Sequence, residues 1–322
     1  MSAAALVTDK QLGDTLMLQP AAAFLARQQG CPTALWVREA FEPLVSLMPD
    51  CTWGPQSPGP YAQVWCTSWG SRALLRAWRL PTRRRLLLIN KPRHRRWWHR
   101  LAVHETVMQT AGAQYWARYF WRMVGGEQGA DFVSPQLKAP PSSWAHAELT
   151  SQPYMLVNPT AAWPHKYATA SHWQACLRAL APRLGPVRVI LSGGGSPPEV
   201  AHAAEIVAGC DTPVVNAVGR TSLREYLHLL SGASMVLAVD GAASHLAQAF
   251  GVPALTLFGP THEGKWHWPT TRHRCLAARQ FRADGDFGPV SEIPEQAVAQ
   301  AALELWTSCA MHSPRSCASP GQ

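Results

Sequence analysis

The segment 235–261 restricts this chain to an α/β architecture. Met235 to Val239 is an unbroken apolar run of strand length, and Ala254 to Phe258 reads as a second buried strand. Between them lie Asp240, the small-residue turn Gly241-Ala242-Ala243, and a helical stretch from His245 to Phe250. Ser244 stands at its N-cap position, and Gly251 and Pro253 stop it. Strand, tight turn, helix and strand put a helix N-terminus at the carboxyl end of a sheet, where amide N–H groups and the helix dipole collect anions. The carboxylate of Asp240 and the imidazole of His245 stand at the same mouth, so the segment suits phosphate-plus-ribose recognition. An ordinary crossover with an incidental Asp and His is the alternative.

The same alternation starts twice along the chain. Strands are expected at Ala4 to Thr8, Thr33 to Val37 and Tyr61 to Cys66. A helix is expected from Asp14 to Gln29 after a turn at Gly13, and a helical pattern runs from Leu101 to Val124. A stretch rich in Pro and Ser, 134–153, reads as the joint. Strands then return at Tyr154 to Asn158, Val187 to Leu191 and Val214-Val215, with helices at Ser171 to Leu180, Pro197 to Ala208 and Ser222 to Leu230. This predicts two doubly wound, Rossmann-like domains facing each other across a cleft. The first covers 1–140, a linker 141–153 and the second domain 154–308, with a disordered tail at 309–322.

Bulk properties narrow the class. The 322 residues suffice for two domains, and 47% hydrophobic content with 15% charge fits a folded soluble chain. No apolar run approaches the length that spans a bilayer, and Met1 to Lys10 lacks the basic start of a signal peptide. The eight cysteines have no zinc-type spacing, so reduced thiols in the cytosol are expected. The net charge of +9 is unevenly spread. No acidic residue lies between Asp50 and Glu105, while arginines from Arg72 to Arg100, including Arg93, Arg95 and Arg96, fall there with Trp65, Trp69, Trp78, Trp97 and Trp98. Such a surface suits a phosphorylated lipid, a membrane headgroup layer or a nucleic acid, or is a solvated basic face.

Several residues are candidates for chemistry. Asp14 would sit at a helix N-terminus aimed into the cleft, or simply cap that helix. Lys166, on a loop after the first strand of the second half, is placed to neutralise a diphosphate, or is merely solvated. Gly193-Gly194-Gly195 permits close backbone approach to a ligand. Glu199 beyond it can accept from ribose hydroxyls, or is a first-turn Glu favoured by the helix dipole. Carboxylates do not cluster as a divalent-ion binder requires, so a metal-free reaction with no cofactor besides the donor is expected.

Together these pieces resemble a known family. Gly13-Asp14 follows the first strand and Lys166 follows the restart. The glycine run at 193–195 ends a strand, and Thr221-Ser222-Leu223-Arg224-Glu225 opens a helix. Asp240 precedes His245-Leu246-Ala247, then come Phe258-Gly259-Pro260-Thr261 and Trp266 with Pro269. The pattern is similar to family 9 glycosyltransferases, the heptosyltransferases of lipopolysaccharide core assembly. The resemblance implies a GT-B fold, with the second domain binding a nucleotide sugar, usually ADP-heptose, and the first binding the acceptor. It implies Asp14 as the general base and Lys166 as the phosphate-binding lysine. Asp240, Gly241, Ala242, Ser244 and His245 would form the nucleotide-sugar site, with Gly193 and Glu199 beside it. Lys10 corresponds to a basic residue before the Gly-Asp, and Arg93, Arg95 and Arg96 would meet the acceptor. The chain departs from the family at Gly241-Ala242, where a hydroxyl residue and then Gly are usual, and the added methyl at Ala242 crowds a phosphate oxygen.

The expected activity is inverting transfer of a sugar, most readily heptose, to a lipopolysaccharide core or related glycan. It would take place in the cytoplasm, with the lipid-linked anionic acceptor met at the inner membrane face. A different nucleotide-sugar donor and a non-catalytic nucleotide-sugar- or glycan-binding protein are the alternatives. No nucleic-acid partner is expected, because it would leave the second-half motifs without a purpose.

Overall fold

Short apolar strands and intervening helices wind the chain twice into the same pattern in the computed structural model, which describes residues 3–108, 112, 114–128 and 131–310. The first sheet holds β1 (Ala4–Val7), β2 (Thr33–Trp36), β3 (Cys51–Trp53), β4 (Tyr61–Cys66), β5 (Thr82–Ile89) and β6 (Glu105–Met108). Its helices are α1 (Leu12–Leu16), α2 (Gln19–Gln29), α3 (Glu42–Leu47), α4 (Ser71–Arg79), α5 (His99–Ala102) and α6 (Trp116–Met123). A short helix, α7 (Ala147–Thr150), precedes the second sheet. That sheet holds β7 (Tyr154–Asn158), β8 (Arg188–Leu191), β9 (Val214–Asn216), β10 (Met235–Val239), β11 (Ala254–Phe258) and β12 (His273–Ala277). The helices around it are α8 (Ala170–Leu180), α9 (Pro197–Ala208), α10 (Leu223–Ser231), α11 (Ala242–Ala249), α12 (Glu263–Trp266) and α13 (Glu295–Ala310).

Strand order is β3-β2-β1-β4-β5-β6 in one sheet and β12-β11-β10-β7-β8-β9 in the other, and every named pairing is parallel. Counted within each half, both orders are the doubly wound 3-2-1-4-5-6. Each therefore reverses direction once, between β1 and β4 and between β7 and β10. Ligands of open α/β sheets bind beyond the carboxyl ends of the strands at that reversal.

Three apolar clusters follow. One is continuous across both halves, joining Leu16, Leu25 and Tyr119 to Leu227, Leu230 and Leu246. The other two cover the outer faces. Trp173, Ile206 and Leu305 back the second sheet, and Leu74, Ala77 and Val103 back the first. Polar links add to the junction: Leu137 N–H donates to Ala249 O, Lys138 N–H donates to Leu47 O, and Arg224 pairs with Glu42 at 3.1 Å.

Three local expectations are corrected. The helix expected from Asp14 to Gln29 is two helices, α1 and α2. Pro20, at the second position of α2, has no N–H for a continuous ladder and its ring would strike the carbonyl of Leu16. The helical pattern read from Leu101 to Val124 is instead α5, the edge strand β6 and α6, with the β-branched Thr106 and Val107 inside the strand. Helix α11 starts at Ala242, so Gly241 holds the N-cap and Ser244 lies inside the first turn. The expected tail falls outside the described residues beyond Ala310, to which α13 extends. Among the described residues the cysteines are free, and no helix is long and apolar enough to cross a membrane.

Candidate active site

Loops after β1 and β4 meet loops after β7, β10 and β11 between the two sheets. Two cavities open there. One, of about 1070 Å³, is lined by Lys10, Asp14, Lys166, Gly193, Glu199, Asp240, Gly241, Ala242 and His245, among others. The second, about 700 Å³, is walled by Trp69, Trp116, Tyr119, Phe120 and Trp266 and edged by Lys10, Lys91 and Lys265. Lys10, Asp14 and Trp266 border both. Asp14 is thus where the cavities join.

The base of the larger cavity is a buried ion pair. Asp240 leaves the end of β10 and is 2% exposed, with its backbone N–H donating to Leu257 O. Its Oδ2 accepts from Lys166 Nζ at 2.6 Å and from the Thr261 hydroxyl at 2.6 Å. Lys166 and Asp240 thus come from the two strands flanking the sheet's reversal. An ammonium carries three donors, so Lys166 retains capacity for a further oxygen. His245 Nε2 stands 4.0 Å from the other Asp240 oxygen, beyond hydrogen-bond reach. Burial pushes the His245 imidazole down to about 4, against the pull of Asp240, so it is neutral at pH 7. No side chain caps the first-turn amides of α11.

The two halves touch at a glycine. Gly13 has no left-handed backbone requirement and sits within α1, so the sharp turn expected of it is not its role. A Cβ on Gly13 would stand 3.0 Å from His245 Cδ2 and 3.7 Å from the Ala242 Cα. The missing side chain lets α1 lie against α11 and carries Asp14 to the cleft.

Asp14 has its carboxyl raised above the ordinary value by burial. The ammonium of Lys10, the Gln11 backbone N–H, Lys166 and the Trp116 indole oppose that rise. The Trp116 N–H acts from outside hydrogen-bond geometry and is buried without a partner. Lys10 is fixed by its own contact, with Nζ 4.1 Å from the centre of the Trp69 ring, which stacks on His94 at 3.9 Å. The Thr8 and Ser68 hydroxyls, 3.0 Å apart, join the ends of β1 and β4 beneath it.

Other expected positions fall differently. Ser244 is buried and donates to Gly241 O at 2.8 Å, so its hydroxyl is spent inside α11 and lines neither cavity. Glu199 accepts from the Gly194 N–H at 3.0 Å, the Thr160 hydroxyl at 3.1 Å and the Ser196 hydroxyl at 2.6 Å. It organises the glycine loop and the start of α9 while still facing the cavity. Gly193 leaves no room for a Cβ, which would stand 2.8 Å from Thr160 Oγ1. Arg93, Arg95 and Arg96 are exposed and line neither cavity, whereas Lys91 beside them does. Of the basic residues expected to meet the acceptor, Lys10 thus lines the cleft, and the three arginines stand outside it on the protein surface.

Sequence reasoning assigned no role to Thr261, Trp116 or Lys265. Thr261 carried a local signal, a hydroxyl three residues past a buried strand. Trp116 and Lys265 reach one cavity from opposite halves, which no local pattern encodes. Among the described residues no group of three or more His, Cys, Asp or Glu is arranged to hold a metal ion.

Known proteins share this fold and its sequence pattern. The family model described as glycosyltransferase family 9 (heptosyltransferase) matches residues 78–291. A 148-residue stretch is 33% identical to lipopolysaccharide heptosyltransferase 3 of Escherichia coli, covering 43% of each chain. The chain spans less than half the length of the curated relatives it matches. Two solved structures share the fold over nearly their whole length. A family 9 glycosyl transferase from Veillonella parvula superposes with a TM-score of 0.80 at 14% identity, covering 95% of this chain and 97% of that one. The E. coli ADP-heptose lipopolysaccharide heptosyltransferase II gives 0.78 at 16%, covering 96% and 99%. Two doubly wound sheets in a GT-B arrangement, with Asp14 from one half and the Lys166–Asp240 pair from the other lining one cleft, are thus the fold of a chain that belongs to glycosyltransferase family 9.

Proposed function

We propose that the protein transfers heptose from ADP-heptose, with inversion, to an acidic sugar of a lipopolysaccharide core or related lipid-linked glycan. The carrying observation is the position of Asp14 at the junction of the two cavities. The larger cavity has the features of a nucleotide-diphosphate site: the Lys166 ammonium, the uncapped amides of α11 and the glycine loop at 193–195. The smaller has those of a carbohydrate site. Its aromatic walls suit the apolar faces of sugar rings, and Lys10, Lys91 and Lys265 suit a carboxylate or phosphate on the acceptor. The family and the names of the relatives, which include ADP-heptose, favour this donor.

In this reading Asp14 takes the proton of the acceptor hydroxyl as its oxygen attacks the anomeric carbon. The bond from that carbon to the diphosphate oxygen breaks on the opposite face, and its electron pair leaves with ADP. Lys166 and the α11 amides receive the charge. A positioned base contributes on the order of 10²–10⁴-fold, and each aimed donor on the leaving group about 10²–10³-fold. The charge is met by protein cations and amides, so no metal is assigned to the step.

The test is transfer from ADP-heptose to a core oligosaccharide, with Asp14→Asn compared with wild type in the presence of EDTA. Wild type should turn over in the chelator. Asp14→Asn should lose at least about 10²-fold in turnover while binding ADP as before. A variant that keeps its turnover removes Asp14 from the base role. A thermal-shift preference for UDP, GDP or CMP over ADP changes the donor.

A further inference from the structure

The first sheet has an outer face that the cleft does not use. Strand order places β4, β5 and β6 successively outward, and right-handed crossovers then put α4 and α5 on the same side. Their inner residues, Ala73, Leu74 and Ala77 on α4 and Trp98 and Ala102 around α5, pack on the sheet, and the two helices are neighbours. Their outer residues are of two kinds. Trp97 is 79% exposed, Leu101 77%, Trp78 57% and Leu75 48%, four large apolar side chains with no cover. Around them stand Arg72, Arg79, Arg93, Arg95, Arg96 and Arg100, which form no ion pair among the described residues.

Two neighbouring arginines have structural work instead, which separates them from the group. Arg76 donates to Val37 O at 2.8 Å, and Arg85 donates to the carbonyls of Ala77, Trp78 and Leu80 at the end of α4. Among the described residues the arginines left over bond no carboxylate or carbonyl, and Arg93 donates to the neighbouring His94 ring at 3.4 Å.

Uncovered tryptophans and leucines ringed by unpaired arginines match one surface chemically. The headgroup layer of a bilayer accepts indole rings and aliphatic tips at its apolar boundary and offers phosphates to guanidinium groups. We propose that the outer face of α4 and α5, with the 93–98 loop between, docks the protein on an anionic phospholipid surface. Each Lys or Arg held near such a surface strengthens binding about fivefold. The same loop follows Asn90 and Lys91, which edge the smaller cavity, so docking sets that cavity beside the lipid layer. The inference rests on the surface alone and holds whatever the transferred sugar.

Vesicle co-sedimentation without donor or acceptor tests it, using phosphatidylcholine alone and phosphatidylcholine with phosphatidylglycerol. The full chain should bind the mixed vesicles and not the neutral ones, and high salt should weaken binding about tenfold or more. W78S/W97S/L101S and R72E/R79E should each lose at least about tenfold in binding while far-UV circular dichroism stays that of wild type. Equal binding to neutral vesicles, or variants that bind as wild type, would overturn the proposal. So would a dimer in light scattering that W78S/W97S/L101S dissociates, which would assign the face to self-association. Salt-sensitive RNA binding without vesicle binding would overturn it too, assigning the face to nucleic acid.

Discussion

The environment of Asp14 bears on stability and, in its proposed role as base, on activity. Burial raises its carboxyl above the ordinary range, so the folded chain holds that proton more tightly than the unfolded chain does. The sign follows: below the unfolded value the carboxyl is neutral in both states and costs nothing. As pH rises through the folded value the buried charge appears and folding stability is lost. Asp14→Asn should therefore melt at a temperature equal to or higher than wild type at pH 7, by roughly 1–3 °C, with the gain vanishing near pH 3. As a base, Asp14 must be ionised, so kcat/KM should fall on an acid limb lying above the usual carboxylate range. Differential scanning fluorimetry and a pH–rate profile read the two effects separately. A destabilised Asp14→Asn would contradict the burial argument. His245, pushed down to about 4, stays neutral throughout and should add no limb near neutrality.

Among the elements, α1 and α11 pack against each other across the halves, and Gly13 makes it possible. An alanine there would gain about 1 kcal/mol of helix propensity, and overpacking against the His245 ring would cost about 1–3 kcal/mol. Gly13→Ala should thus change the melting temperature little. Its methyl must move α1 from α11 by a few tenths of an ångström, and Asp14 moves with it. A fall of roughly tenfold in kcat with ADP affinity retained is expected from steady-state kinetics and calorimetry. The elements also show why the second half is the more legible in sequence. Tyr154–Asn158, Pro197–Ala208, Met235–Val239 and Ala254–Phe258 have the bounds that their apolar runs and caps imply. The three strands among them are buried on both faces, so they read as short, nearly continuous apolar runs, with Thr256 the polar residue inside one of them. β5 opens on Arg83, Arg84 and Arg85 and reads as a basic run, and β6, at the sheet edge, carries Glu105 and resembles helix. Asp14, Lys166 and Asp240 were visible because each follows a strand end. Ser244 misled because the helix begins three residues earlier than its capping preference suggests. Trp116 and Lys265 were invisible because only packing brings them together.

For the whole molecule, the decisive feature is the apolar cluster shared by both sheets. A chain with two Rossmann-like units commonly moves as two bodies, but Leu16, Leu25 and Tyr119 here pack in one cluster with Leu227, Leu230 and Leu246. Calorimetry should show a single unfolding transition, with calorimetric and van't Hoff enthalpies agreeing to about 20%. Two resolved transitions would mean that the cluster does not couple the halves. In the proposed mechanism the base belongs to one sheet and the groups that receive the diphosphate to the other, and the apolar cluster that joins the halves gauges the gap between them. That gauge is the thickness of a greasy filling made of leucines and alanines that never meet a sugar. Trimming one of them would detune the reaction from a distance, and the reach from nucleophile to leaving group is in this sense a property of the oil between the plates.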